Sequence, residues 1–259
     1  MIAIPVQRIG VCVPARNEAG GIVACLRALS RAAAQVRCPV TAVVVADACT
    51  DDTAGQARCA AAAADLTVRV LHLEARSVGA ARAAGLASLL EELGVVGTWL
   101  ATTDADSTVP AGWLAGQLRH RRAGAELVVG TVTVADWSGH SGQLRAYVLD
   151  AYGRHAAERH GHVHGANLGF SAAAYQRLGG FAPVRAHEDV LLVDAAHRLG
   201  MSVSWAQDIA VSTSARLVGR TPAGFAHYLS AASQRVFPAA AGSRLHLPVG
   251  AAARTVGYA

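Results

Sequence analysis

The chain has 259 residues, 53% hydrophobic and only 16% charged, so it carries enough apolar mass for a sizeable core and is not a solvated, disordered chain. Its mean hydropathy of +0.31 comes mostly from alanine, and its longest apolar runs, residues 41–46 and 127–134, stop short of the roughly 18–20 residues that a membrane-spanning helix needs. A net charge of +5 suits an anionic ligand, but the absence of an arginine-rich run and an aromatic content of 5% argue against nucleic acid.

In chain order, residues 9–13 form a short apolar β run, and residues 19–34 follow with Ile22, Val23, Leu26 and Leu29 at helical spacing. Residues 40–45 repeat the buried-strand pattern, after which Thr50 is placed to cap a helix starting near Asp51. A third strand over 67–73, a helix over 77–93 and a fourth strand over 98–103 complete an alternation that predicts a parallel sheet covered on both faces. The later pattern is less regular. Pro110 opens a helix to Arg122, residues 127–134 alternate like an antiparallel or edge strand, and residues 142–159 read as a long helix. A strand over 166–170, a turn at Gly179-Gly180, a helix over 190–198 and a last strand over 203–207 follow. No repeat or linker divides the chain, so we expect one compact α/β domain with a mostly parallel sheet.

The five cysteines lack any zinc-ligand spacing, which predicts free, buried thiols. With no signal-peptide pattern in residues 1–5, the expected location is cytoplasmic.

Ligands of an open parallel sheet sit beyond the carboxyl ends of its strands. There the sequence places Pro14-Ala15-Arg16-Asn17-Glu18, Asp47-Ala48-Cys49-Thr50-Asp51-Asp52 and Asp104-Ala105-Asp106. Of only 18 acidic residues, seven fall in three clusters, the third being Glu188-Asp189. Thr50, Asp51 and Asp52 serve equally well as caps of a helix N-terminus. Asp104 and Asp106 stand two apart in an extended segment, so their like charges point one way and repel unless a cation such as Mg²⁺ or Mn²⁺ sits between them. The glycine fingerprint of a dinucleotide fold is absent after the first strand, and a chain without lysine has no P-loop in its usual form.

The order of these segments resembles the family 2 glycosyltransferases, from Ile9 to about Leu199. The resemblance implies a GT-A-like, Rossmann-type fold, a nucleotide-diphosphate sugar donor, a divalent cation (Mg²⁺ or Mn²⁺), and transfer to an acceptor hydroxyl with inversion. It implies a nucleotide-sugar-binding half over 1–106 and an acceptor-binding, catalytic half over 107–259. Pro14, Arg16 and Glu18 would lie against the nucleoside, and Asp47 would read the base or ribose. Arg82 would face the nucleotide, although Ala83 stands where the family carries Asn. Asp104 would contact the ribose or the cation's hydration shell, and Asp106 would ligate the cation. Glu188 and Asp189 resemble the acidic pair at a helix start, with Asp189 as general base. His164, Gly165 and Asn167 would belong to the floor of the donor-sugar and acceptor site.

The sequence also departs from the family at Ala46-Asp47 and Ala48-Cys49, where Asp-Asp and Gly-Ser are usual. No Q-x-x-R-W motif is present, which implies single addition to a small-molecule, lipid or secondary-metabolite acceptor. Two alternatives stay open: a nucleotidyltransferase of similar architecture, and a catalytically silent nucleotide-sugar-binding protein. Other readings are also open. His160, His162 and His164 alternate as zinc ligands would; His187, His227 or His246 can join the metal or acceptor site; Arg216 and Arg220 suit either a diphosphate or open solvent.

Overall fold

The computed structural model describes residues 4–62, 66–134, 136–154, 162–219 and 224–237. A seven-stranded sheet runs in the order β3-β2-β1-β4-β6-β5-β7. Its strands are β1 (Arg8–Ala15), β2 (Val40–Asp47), β3 (Thr67–Leu73), β4 (Thr98–Thr102), β5 (Leu127–Val134), β6 (Leu168–Ser171) and β7 (Val203–Thr213). All run the same way except β6, which is antiparallel to both β4 and β5. The expected mostly parallel α/β sheet is therefore present.

Period-two side-chain alternation feeds two cores, one on each face. Ile9, Val11 and Val13 of β1, with Trp99 and Ala101 of β4, pack against α1 (Ile22–Ala33), α2 (Thr53–Ala62) and α4 (Trp113–Arg122). Cys12 and Leu100, facing the other way, pack against α3 (Val78–Leu93), α6 (Ala172–Arg177) and α7 (Glu188–Arg198). A small third core joins α5 (Gly142–Arg154) to α8 (Phe225–Val236) through Leu144, Val148 and Leu229.

Four features differ from the sequence expectation. β5 is neither an edge strand nor antiparallel to the first four; it lies between β6 and β7, and β7 forms the edge. The strand β7 runs six residues beyond Gln207, because past a register shift opposite Gly130 and Val132 it pairs again with β5. Thr50 does not cap α2: the helix begins at Thr53 with Asp52 O accepting the first helical N–H, the Asp51 carboxylate accepts from the Thr53 N–H in the turn before it, and the Thr50 N–H donates to Asn17 Oδ1. The short α6 and the whole of α8 had no counterpart in the predicted elements. The predicted helix over 142–159 is α5 as far as Arg154, and its last residues lie outside the described ones. Cys12 and Cys25 are buried free thiols as expected, but Cys59 is exposed.

Candidate active site

Two cavities open beyond the carboxyl ends of β1, β2 and β4. The first, of about 360 Å³, is lined by Pro14, Arg16, Glu18, Asp47, Asp104 and Asp106, and by Arg76, Arg185 and Arg216. The second, of about 250 Å³, is lined by Arg82, His164, Gly165, Glu188 and Asp189, with His162, His187, Phe225 and Tyr228. Asp104, Val78, Thr213 and Phe225 line both, so the cavities adjoin at Asp104.

The walls of the first cavity are cross-tied by short polar contacts. Asp47 ends β2, and its Oδ1 accepts from the N–H groups of Ala75 and Arg76 at 2.8 and 2.9 Å, its Oδ2 from that of Ser77 at 2.8 Å. This buried carboxylate thus shapes the β3–α3 loop that carries Arg76, a residue held at a φ of +51° that only a well-tied loop sustains. Ser77 then caps α3, its Oγ accepting from the Ala80 N–H, and donates to Val184 O at 2.8 Å. The same carbonyl accepts from the Gly79 N–H, and a Cβ on Gly79 would collide with Ala182 O, so only glycine admits this close docking of the segment before α7. On the other wall, Asp51 accepts from the Ala19 N–H at 3.0 Å and from Thr53, while the Glu18 N–H donates to Thr53 Oγ1 at 2.8 Å. Burial pulls the Asp51 carboxyl upward, but these hydrogen bonds outweigh it and hold it below the usual range.

Arg82, projecting from α3 and almost wholly buried, joins the two cavities. It pairs with Glu188 through Nη1 and with Asp104 Oδ1 through Nη2 at 2.5 Å. Its guanidinium also lies 5.8 Å from the centre of the Phe181 ring, and a Cβ on Gly165 would strike it. The guanidinium therefore reaches the first cavity only through Asp104. Burial is the main force pushing the Asp104 carboxyl upward; Arg82 opposes it, and the charges of Asp106 and Asp189 add to it. About a third of the Asp104 side chain remains open to the crevice, which moderates that push.

Asp106 sits two residues on. Its Oδ2 is 3.0 Å from Arg216 Nη2, and its Oδ1 lies 3.3 Å from Ser107 Oγ, which is 3.0 Å from Thr213 Oγ1. Arg216 also pairs with Glu18, at 2.7 Å to Oε1 and 2.9 Å to Oε2, and so is not a solvated surface arginine. Arg220 and His246 lie outside the described residues. The oxygen donors suit a hard cation, yet among the described residues no three His, Cys, Asp or Glu side chains converge as a closed cage. The residues thus fit an ion whose shell is completed by water and phosphate oxygens.

Asp189 opens α7 beside the second cavity. Its Oδ2 accepts from the Gly165 N–H at 2.7 Å and its Oδ1 from the Val190 N–H at 2.8 Å, which fixes the carboxylate between a loop and a helix N-terminus. The turn before it places His187 at a φ of +65°, with Glu188 buried against Arg82 and Asp189 partly open. Gly165 is pinned from its other side by Thr102 Oγ1, which donates to its carbonyl at 2.6 Å.

Asn167 is the predicted site residue that the structure does not bring to either cavity. It is fully buried, accepts from Trp113 Nε1 at 2.8 Å and donates to Thr131 O and Ile209 O, tying α4, β5 and β7 together. His227 is exposed on α8 and also lines neither cavity. The rings of His162 and His164 stack 6.0 Å apart, and His164 meets Phe225 edge-on; His160 lies outside the described residues. Arg76, Arg185 and Phe225 escaped sequence reasoning. The first had a usable signal, its place after a strand end, whereas the other two depend on how distant segments dock.

A family model described as glycosyl transferase family 2 matches residues 10–178. No curated protein matches the chain by sequence. Among solved structures, TarS from S. aureus in complex with UDP superposes with a TM-score of 0.57 and 16% identity, over 79% of this chain and 59% of that one. A mannosyltransferase from Pyrobaculum calidifontis with GDP-Man and Mn²⁺ gives 0.59 and 21%, over 85% and 61%. Glucosyl-3-phosphoglycerate synthase from Mycobacterium tuberculosis, with Mn²⁺, UDP and phosphoglyceric acid, gives 0.56 and 20%, over 89% and 76%. The chain thus spans about three fifths of the TarS and mannosyltransferase chains.

Proposed function

The chain belongs to glycosyl transferase family 2, and from that premise we propose that it moves a sugar from a nucleoside-diphosphate sugar to an acceptor hydroxyl with inversion. The observation that carries this reading is the pair of adjoining cavities, with Asp106 in the first and Asp189 in the second. An in-line transfer needs the leaving diphosphate on one side of the sugar and a base on the other.

In this reading the first cavity holds the nucleoside diphosphate. Pro14, Arg16 and Glu18 flank it, the Asp47-tied loop presents Arg76 to it, and Arg185 faces it from the segment docked on Gly79. The Mg²⁺ or Mn²⁺ carried by the solved neighbours supports a divalent cation here, held by Asp106 with Asp104 close by. Such an ion would stabilise the charge that develops on the departing diphosphate. Asp189 takes the acceptor's proton as the new bond forms; its two N–H contacts orient the carboxylate without using all of its lone pairs. Glu188 and Arg82 act one step back, as positioning residues that hold Asp104 and the start of α7 in register. The second cavity, small and walled by His162, His164, Phe225 and Tyr228, suits a compact hydroxylated acceptor. Among the described residues no helix is long and apolar enough to cross a membrane.

A thermal-shift panel of UDP, GDP, TDP and CDP sugars with and without Mn²⁺ tests the donor half of the proposal, since a ligand of the native state raises its stability. For the transfer half, Asp189→Asn is expected to lower turnover by about 10²–10⁴-fold while leaving nucleotide affinity nearly unchanged. Near-normal turnover of that variant with the true acceptor would remove Asp189 as the base.

A further inference from the structure

Arg216 is the cation that faces Asp106 in this structure. Its guanidinium forks across two carboxylates from the loops after β1 and β4, Glu18 and Asp106, with all three contacts between 2.7 and 3.0 Å. It stands three residues past the end of β7, on a strap that leaves the sheet after Thr213. The strand end is firmly tied, by its pairing with Val134 and by a bridge between Ser212 and Thr108. Beyond it the strap carries Leu217 and Val218, which are exposed, Val218 at 77%. The Arg216 Nε is buried and has no hydrogen-bond partner among the described residues. A charge-assisted fork with one unsatisfied donor, on a strap with uncovered apolar side chains, marks a contact that has a second arrangement available.

We propose that Arg216 is the resident counter-ion of the donor site: it holds Glu18 and Asp106 while the site is free, and exchanges them for diphosphate oxygens when donor and divalent ion arrive together. The inference rests on the donor reading above. A cation ligated by Asp106 needs its oxygen at roughly 2.0–2.6 Å, within the space that the Arg216 fork now shields. Cation alone must therefore displace Arg216 and leave it without an anion. Cation with a nucleoside diphosphate supplies the replacement anion, for which the planar guanidinium fork is well matched. The two ligands consequently bind with positive coupling, and Arg216 carries that coupling.

The test is Mn²⁺ binding followed by electron paramagnetic resonance, with Mn²⁺ alone and with UDP or GDP added, on wild type, Arg216→Gln, Arg216→Lys and Asp106→Asn. Wild type is expected to bind Mn²⁺ weakly alone and about tenfold or more tightly with the nucleotide, a typical coupling. Arg216→Gln is expected to bind Mn²⁺ alone about tenfold more tightly and to lose most of the coupling. Arg216→Lys, which keeps a charge but not the fork, should fall between them. If Asp106→Asn abolishes Mn²⁺ binding while Arg216→Gln leaves both affinity and coupling at wild-type values, the counter-ion role is overturned and the cation reading survives. If Asp106→Asn changes nothing, or no variant binds Mn²⁺ in any condition, the cation reading itself fails and this inference with it.

Discussion

The two halves of the molecule build their share of the site by different means. Up to Asp106, the polar groups are tied mainly by neighbouring loops: Asp47 accepts three backbone N–H groups from the next strand end, and Asp51 and Asn17 lace the loops after β1 and β2 together. Beyond Asp106, Asp189 is again held by backbone N–H groups, but Glu188 and Arg216 reach the site through side-chain pairs with partners far away in sequence, Arg82 and Glu18. Backbone-to-carboxylate ties make a rigid cradle that does not depend on a ligand. Side-chain ion pairs can be exchanged for a ligand's charges, which is what the proposed donor binding and release would require.

This contrast is tested most severely at Arg82, the guanidinium that links the halves. Arg82→Ala leaves the buried Glu188 carboxylate without its partner and is expected to cost about 3–5 kcal/mol, read as a fall in the urea midpoint. A loss no greater than that of an exposed ion pair would mean that the halves are held together without it. Asp47→Ala strands three N–H groups of the β3–α3 loop, and we expect a loss of about 2–3 kcal/mol together with weaker nucleotide binding. Weaker binding at unchanged stability would instead make Asp47 a ligand contact rather than a loop organiser. Asp51→Ala removes the acceptor of the Thr53 and Ala19 N–H groups, for an expected loss of about 1 kcal/mol in the same measurement.

The smallest effect concerns acid. Burial alone raises the Asp208 carboxyl, but hydrogen bonds from His120 and Arg119 outweigh it and hold it below its usual 3.8. A group depressed in the folded state contributes stability above its unfolded pKa and loses it as the pH falls through the folded one. Stability should thus be insensitive to this clamp from pH 7 down to about 4 and decline below, by no more than about 1 kcal/mol because the pair is largely exposed. Asp208→Asn should flatten that part of the stability–pH curve slightly, and an unchanged slope would show the pair to be thermodynamically silent.

β1, β2 and β4 were legible because each is a buried apolar run that ends at a polar cluster, and β5 and the only partly buried edge strand β3 match their expected bounds residue for residue. Their periodicity says which faces are buried but not which strand lies alongside, so the interior place of β5 and the reversed β6 were hidden. The helix α8 escaped because it buries only a narrow stripe, Ala226, Leu229 and Ala232, of which the last two pack against α5. At the site, the order of motifs carried Pro14, Arg16, Glu18, Asp47, Asp104, Asp106 and the Glu188-Asp189 pair to the two cavities. Asn167 read as a site residue because it stands beside Gly165, yet the short turn over Gly165–Asn167 leaves Gly165 at the cavity and buries Asn167 among α4, β5 and β7.

By itself, then, the sequence determined a mostly parallel α/β sheet with acidic clusters at its carboxyl end, because strand burial and the polar residues that follow are both written locally. Only the tertiary structure decided which charges neutralise which. Glu188 lies 106 residues from Arg82 and Glu18 lies 198 residues from Arg216, and an ion pair depends on distance in space, on which spacing along the chain is silent.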